Sequence, residues 1–353
     1  MATNHLLFAR EATPSLRTHS VMILYRLWIS TVAVHALSNL LSLRTVNHLN
    51  SLQVALNASL SRIFGVPTSS ARFLHMELGF PPLRYQCDIA LARFHCHLAL
   101  APPQTLHSIM HQSRRLQPQN LNPDSLEQCT RSALIRLGRP LDYDYFVLPD
   151  TVTRTKTTRP VRTYARSLYP AASTNWRTTI FATPAVPSRH HSYTTLFEKD
   201  LHRINLFLPA LWLRRHPFTP ATVTLLQLRV QASFLPTHRH HVPPGPSHPG
   251  IPYRPFQHRS CPYCPTITGD EIHMFLDCPR LVISLSPSFA DFLTLLTGYE
   301  LHTTPLSTLD YLSLLLAADP SPWLRGLDRL EWLNHIVPTS IAVALTVSRP
   351  LPP

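Results

Sequence analysis

Apolar residues recur at three- and four-residue steps through Leu49, Leu52, Leu56, Leu60 and Ile63. That spacing predicts a helix with one buried stripe, ended by Gly65 and Pro67. A second short helix is predicted over 69–78, stopped by Gly79 and the pair Pro81-Pro82. A third covers 83–100, with Ile89, Phe94 and Leu98 among its apolar positions, and closes at Pro102 and Pro103. The polar stretch 104–123 reads as a loop or weak helix. Residues 125–137 read as a helix capped by Asp124 and followed by Gly138. From 140 to 195 no period is evident, Thr, Arg and Pro dominate, and irregular chain is predicted; Asp142 and Asp144 read as a solvated turn. Residues 194–213 are helix-like but broken at Pro209, and 221–234 form a better helix with Leu225, Leu228 and Ala232 on one face. A Pro- and His-rich loop fills 236–260. Apolar helical segments follow at 281–297, 306–318 and 323–336, and the proline-rich end is expected to fray.

The fold class this pattern predicts is mainly α and multidomain. Its parts are a helical segment (19–103), an irregular, basic, Pro-rich and partly disordered connector (104–220), a helix plus small metal module (221–280), and a helical C-terminal segment (281–353). The stretch 21–43 is apolar but contains Arg26 and His35, so it reads as a buried helix before a membrane span.

Composition sharpens the picture at three points. The 353 residues hold 35 prolines against 8 glycines, so short elements joined by stiff, extended connections are expected. The formal charge is +13, and its distribution is uneven: residues 151–260 carry 15 basic and 2 acidic residues, whereas 261–353 carry 4 and 9. A block that basic attracts phosphate. An anionic membrane surface and a solvated linker without a ligand are the other readings. Only Lys156 and Lys199 are lysines; the remaining basic residues are arginines. Arginine forks onto phosphate, although cytosine-rich codons would produce the same bias. The expected contacts are Arg154, Lys156, Arg159, Arg162 and Arg166, with Tyr164 and Tyr169 for base stacking, extended by Arg214, Arg215 and Arg229.

Three of the six cysteines fall together as Cys261-x2-Cys264-x8-His273-x4-Cys278. This is metal spacing rather than a disulfide framework, and it implies a reducing compartment. Zinc takes four such ligands in a tetrahedron. A tight turn aims Cys261 and Cys264 inward, Gly269 allows a reversal, and one or two helical turns over 271–276 carry His273. With four protein ligands the shell is closed, which predicts a structural zinc rather than a hydrolytic one. The bland alternative is buried thiols. His238, His240, His241, His248 and His258 sit just upstream, and most such histidines are solvated. The first ten residues lack a signal-peptide pattern, so a soluble cytoplasmic or nuclear protein is expected.

The string Cys261-Pro-Tyr-Cys264, Asp270-Glu271, His273, Phe275, Cys278-Pro279 resembles the zinc-binding domain that follows the reverse transcriptase of non-LTR retrotransposons. The run from Leu225 to Gln231 is similar to the helix preceding that site. Independently, Leu60-Ser-Arg62-Ile63-Phe64-Gly65-Val66-Pro67 with Glu77-Leu-Gly79-Phe-Pro-Pro-Leu83 resembles the helical thumb of those polymerases. The resemblance covers about 20–100 and 220–280. It implies a thumb that grips a template–primer duplex and a zinc module that engages RNA or DNA.

No Tyr- or Phe-x-Asp-Asp string occurs; Phe289-Ala-Asp291-Phe292 comes nearest, lies after the metal cluster and reads as ordinary helix. The palm of such an enzyme would precede the thumb, so its two-metal carboxylates are expected to be missing. No lysine follows Lys199 for a nuclease, and no phosphate loop is present. The expectation is a non-enzymatic, truncated reverse-transcriptase-like protein that binds zinc and RNA or DNA, with a separate polymerase chain as a candidate partner and with no membrane or small-molecule substrate. Two alternatives stay open: a degenerate reading frame without function, and a host interaction module built on the zinc site.

Overall fold

The structure, a computed structural model, describes residues 45–99, 105, 126–139, 154–181, 189–201, 208–214, 216, 219–233, 235, 238, 259–302, 305–325 and 328–348. It is mostly helical. In chain order the helices are α1 (Thr45–Phe64), α2 (Ala71–Leu78), α3 (Leu83–Ala99), α4 (Leu126–Arg136), α5 (Arg154–Phe181), α6 (Arg189–Leu196), α7 (Glu198–Leu201), α8 (Pro220–Arg229), α9 (Pro279–Thr297), α10 (Thr308–Leu315) and α11 (Arg329–Ser348). Two short antiparallel strands, β1 (Glu300–Leu301) and β2 (Leu324–Arg325), pair Glu300 with Arg325 and Leu301 with Leu324.

The predicted stripe of α1 is largely as expected: Leu49, Leu56, Leu60 and Ile63 are buried, while Leu52 is 38% exposed. Gly65 and Gly79 both take positive φ, which terminates α1 and α2. Gly79 has a second reason to be glycine. A Cβ there would stand 2.1 Å from the Leu208 carbonyl carbon, because the segment 208–210 runs directly against it. On α3 Ile89 is buried but Phe94 is exposed, and the side chain of Leu98 lies outside the described residues. α8 stops at Arg229 rather than near 234, because Gln231 turns left-handed at φ 60°.

The largest departure from the sequence reading is α5, a helix of 28 residues where irregular chain was expected. Its buried face is Tyr164, Leu168, Ala172, Trp176 and Ile180, a strict four-residue step. Packing of that face outweighs the poor helix propensity of its threonines and prolines. Within the stretch 194–213 the described residues form the end of α6, then α7 and, past Pro209, a 3₁₀ turn over Leu211–Arg214; residues 202–207 lie outside the described residues.

Buried residues of α1, α2, α6, α8, α9, α10 and α11, with Leu83 and Cys87 of α3 and Trp176 and Ile180 of α5, belong to one contiguous core, which also takes in Cys261, Met274, Phe275 and Cys278 of the metal module. A smaller cluster joins α3, α4 and α5 through Ile89, Cys96, Leu134, Leu137, Tyr164 and Leu168, and Tyr85 packs against both. Among the described residues α9 is the one helix long and apolar enough to cross a membrane. Its Leu281, Leu285, Phe292 and Leu296 are buried, and the helix packs on α11.

Candidate metal centre and basic surface

The metal module is built on a tight reversal. Ser260 bridges Thr268, the Cys261 N–H donates to the Ile267 carbonyl at 2.8 Å, and the Gly269 N–H donates to the Arg259 carbonyl at 2.8 Å. Inside it, the Cys264 N–H donates to the Cys261 carbonyl at 3.2 Å and the Ile267 N–H to the Cys264 carbonyl at 2.9 Å. This turn folds both cysteines of the CxxC to one side. Asp270 then starts a helical turn by accepting from the His273 N–H at 2.9 Å. The turn widens to π geometry over His273–Asp277, and the Cys278 N–H closes onto the His273 carbonyl at 2.7 Å. Five-residue closure brings His273 and Cys278 to the same side. Cys278 is also the N-cap of α9, with Pro279 in its first turn, where the helix's positive end favours negative charge.

The outcome is a cluster in which the ligand atoms of Cys261, Cys264, His273 and Cys278 all lie within 4.8 Å of one another. Cys261 Sγ and Cys278 Sγ are 3.7 Å apart. A tetrahedron with Zn–S near 2.3 Å sets its sulfurs about 3.8 Å apart, so the spacing fits. Three of the four residues are buried and Cys264 is half-buried. His273 Nε2 is buried without a hydrogen-bond partner among the described residues. An orphaned ring nitrogen beside three thiols is costly unless a cation satisfies it. Burial pushes the Cys261 thiol up to about 11, against the opposing pull of the Tyr263 and Cys264 N–H groups. A bound cation reverses that effect and holds the sulfur as thiolate. These residues can therefore hold a metal ion, and with four protein ligands none of the shell is left for a catalytic water.

The candidate nucleic-acid residues fare unevenly. Arg154, Lys156, Arg159, Arg162 and Arg166 all fall on the first half of α5, at two- to four-residue steps. Arg166 is exposed, whereas the side chains of the other four lie outside the described residues. Tyr164 is turned into the smaller core, so its expected stacking role is a correction. Tyr169 is half-buried, and its hydroxyl accepts from Arg93 Nη1 at 3.1 Å. Arg214 is half-buried with its Nε on the Pro209 carbonyl at 3.1 Å, and Arg215 lies outside the described residues.

Arg229 is a clear correction. Its side chain is 0% exposed and forks onto Glu77, with Nη2–Oε1 at 2.9 Å and Nε–Oε2 at 3.1 Å. A fully enclosed guanidinium cannot meet phosphate. His238 is another: it is buried, not solvated, with Nε2 2.8 Å from Glu271 Oε1. Sequence reasoning missed both for the same reason. Neither residue has a close chain neighbour that could show its partner in advance. The paired partner of Arg229 lies 152 residues away. Asp142 and Asp144 lie outside the described residues.

Comparison of the chain with protein-family models, curated proteins and solved structures finds no match.

Proposed function

We propose that this chain is a zinc- and nucleic-acid-binding segment of the kind that follows the palm in a non-LTR retroelement reverse transcriptase. The observation that carries the proposal is the four-residue cluster with its orphaned His273 nitrogen and its 3.7 Å sulfur pair. Zinc suits three cysteines and one histidine better than a hard cation does. The zinc is structural, held by Cys261, Cys264, His273 and Cys278.

The nucleic-acid part of the reading is supported by charge and by the helix that carries it. Residues 151–260 have 15 basic and 2 acidic side chains. On α5, Arg159, Arg162 and Arg166 recur at three- and four-residue steps in the sequence, and Arg166 is exposed while Tyr164, Leu168 and Ala172 are buried. A basic stripe along a packed helix suits backbone phosphates more than base edges. RNA or DNA is the partner on this reading. No catalytic role is assigned, because the residues that resemble the thumb and zinc segments bring no carboxylate pair for two-metal chemistry.

The test is binding to RNA over a range of salt concentrations. Replacing Arg154, Lys156, Arg159, Arg162 and Arg166 with alanine should flatten the slope of log affinity against log salt by roughly 3.5 to 4.5. An unchanged slope overturns α5 as the nucleic-acid surface. Primer extension on an RNA template should give no product; extension by the purified chain would overturn the non-enzymatic reading.

A further inference from the structure

Two residues before His273, on the same helical turn, stands Glu271, which is 4% exposed. A carboxylate buried to that extent needs donors. Its donors come from the segment that follows α8. Oε1 accepts from Gln231 Nε2 and from His238 Nε2, the latter at 2.8 Å. His238 Nδ1 in turn lies 2.7 Å from Ser233 Oγ. With Nε2–H donating to Glu271, Nδ1 accepts from the serine hydroxyl, and the ring's tautomer and orientation are both set.

Gln231 and His238 belong to the segment that leaves α8, 40 and 33 residues before Glu271 in the chain. Gln231 holds a left-handed backbone at φ 60°, a conformation a non-glycine residue keeps only where its surroundings enforce it. Two residues earlier Arg229 is locked onto Glu77. The loop that meets Glu271 is therefore itself fixed to α2 through α8. The two hydrogen bonds to Glu271, with Ser233 holding the His238 ring, fasten the turn bearing His273 to the helical body.

We infer that Glu271 is a positioning residue for the metal centre: through His238 and Gln231 it fixes the turn that presents the His273 ring to the three thiolates. This rests on the metal-binding reading above. Groups that orient ligands without touching the metal typically change metal affinity by about 10- to 100-fold. What Glu271 contributes is an acceptor oxygen, which glutamine also supplies and alanine does not.

The experiment compares the wild-type chain with Glu271→Ala, Glu271→Gln, His238→Ala and Cys264→Ser. Zinc affinity is measured by competition with a chromophoric chelator, ligand geometry by the visible spectrum of the cobalt-substituted chain, and folding by far-ultraviolet circular dichroism. Glu271→Ala should bind zinc 10- to 100-fold more weakly while its cobalt spectrum keeps the wild-type three-sulfur, one-nitrogen form. Glu271→Gln should stay within a few-fold of wild type. His238→Ala should weaken binding in the same direction as Glu271→Ala, and supplies the test if that variant does not fold. Wild-type zinc affinity in folded Glu271→Ala or His238→Ala overturns the inference, as does a Glu271→Gln chain that loses as much affinity as the alanine variant. A wild-type chain that binds no zinc, or a Cys264→Ser chain with unchanged affinity and spectrum, overturns the metal reading instead.

Discussion

Arg229 and Glu77 form a two-point ion pair in which neither side chain is exposed to more than 2%. The Glu77 carboxylate also accepts from the Tyr193 hydroxyl at 3.1 Å and from Trp212 Nε1 at 3.3 Å. The guanidinium lies 4.2 Å from the Phe197 ring centre and 5.8 Å from that of Trp212. Both charges are thus fully partnered inside an aromatic box that joins α2, α6, the 3₁₀ turn and α8.

Removing one partner leaves the other as an uncompensated buried charge. Arg229→Ala or Glu77→Ala should each cost about 3 to 5 kcal/mol, read as a lowered denaturant midpoint. The double replacement Glu77→Leu with Arg229→Met should cost far less than the two single changes together. Strict additivity would mean that the two residues are not coupled.

Gly79 and Gly138 offer a matched pair of left-handed glycines, at φ 63° and φ 72°. At Gly138 nothing lies within 4 Å of an added Cβ, so alanine there carries only the conformational cost of roughly 1 to 2 kcal/mol. At Gly79 the same methyl would overlap the Leu208–Pro209 peptide, with contacts of 2.1 to 2.4 Å to backbone atoms. Backbone cannot swing aside as a side chain does. Gly79→Ala should therefore destabilise the chain by clearly more than Gly138→Ala. Equal thermal shifts in the two variants would contradict the close approach of 208–210 to α2.

His75 should make stability fall in mild acid. Its ring is buried, Nδ1 donates to the Phe80 carbonyl at 2.6 Å, and Nε2 faces the amides of Gln53 and Asn57 at 3.2 and 2.7 Å. Burial lowers its pKa from 6.5 to about 4, with the Phe80 hydrogen bond opposing. Above about pH 6.5 the ring is neutral in both folded and unfolded chains, and the contribution is fully present. Below that, the unfolded chain takes up a proton that the folded one refuses, and stability declines until about pH 4. The full loss is on the order of 3 kcal/mol. Unfolding midpoints from pH 7.5 to 4 should fall less steeply in His75→Gln than in the wild-type chain. Parallel profiles would assign the acid sensitivity to other groups.

How far the sequence reached depended on how local each signal was. The helix over 45–64, its glycine stop and the short helix up to Leu78 all follow from residues within four positions of one another. The metal cluster was legible for the same reason: its spacing is a property of 18 consecutive residues, and the ligand atoms do converge. The helix α5 was missed although its step of four from Tyr164 to Ile180 was present, because alanine at 172 and the surrounding threonines diluted the apolar pattern. Arg229 and His238 were misassigned because a basic side chain in a basic stretch reads as solvated until a distant carboxylate is found beside it. Glu77 and Glu271 are those carboxylates, and no local rule connects them to their partners.

The remaining prediction concerns what the metal does for the fold. Cys261, Met274, Phe275 and Cys278 lie in the same core as Leu60, Leu225 and Leu314, so the module has no separate interior to lose. A metal bound there should stabilise the whole core cooperatively. Purified chain should contain close to one zinc per molecule by elemental analysis, and Cys264→Ser, which removes one of the four ligands, should contain markedly less. A ligand held at a thousand times its dissociation constant adds about 4 kcal/mol to the stability of the state that binds it. Stripping the zinc with a chelator should therefore lower the thermal midpoint, followed through the tryptophans Trp212, Trp323 and Trp332, all of which are buried in that core. Readdition of zinc should restore it. A chain that surrenders its zinc with no change in tryptophan-monitored unfolding would mean that the metal serves the Cys/His turn alone, and that the core around α8, α9 and α11 is held by apolar packing without it.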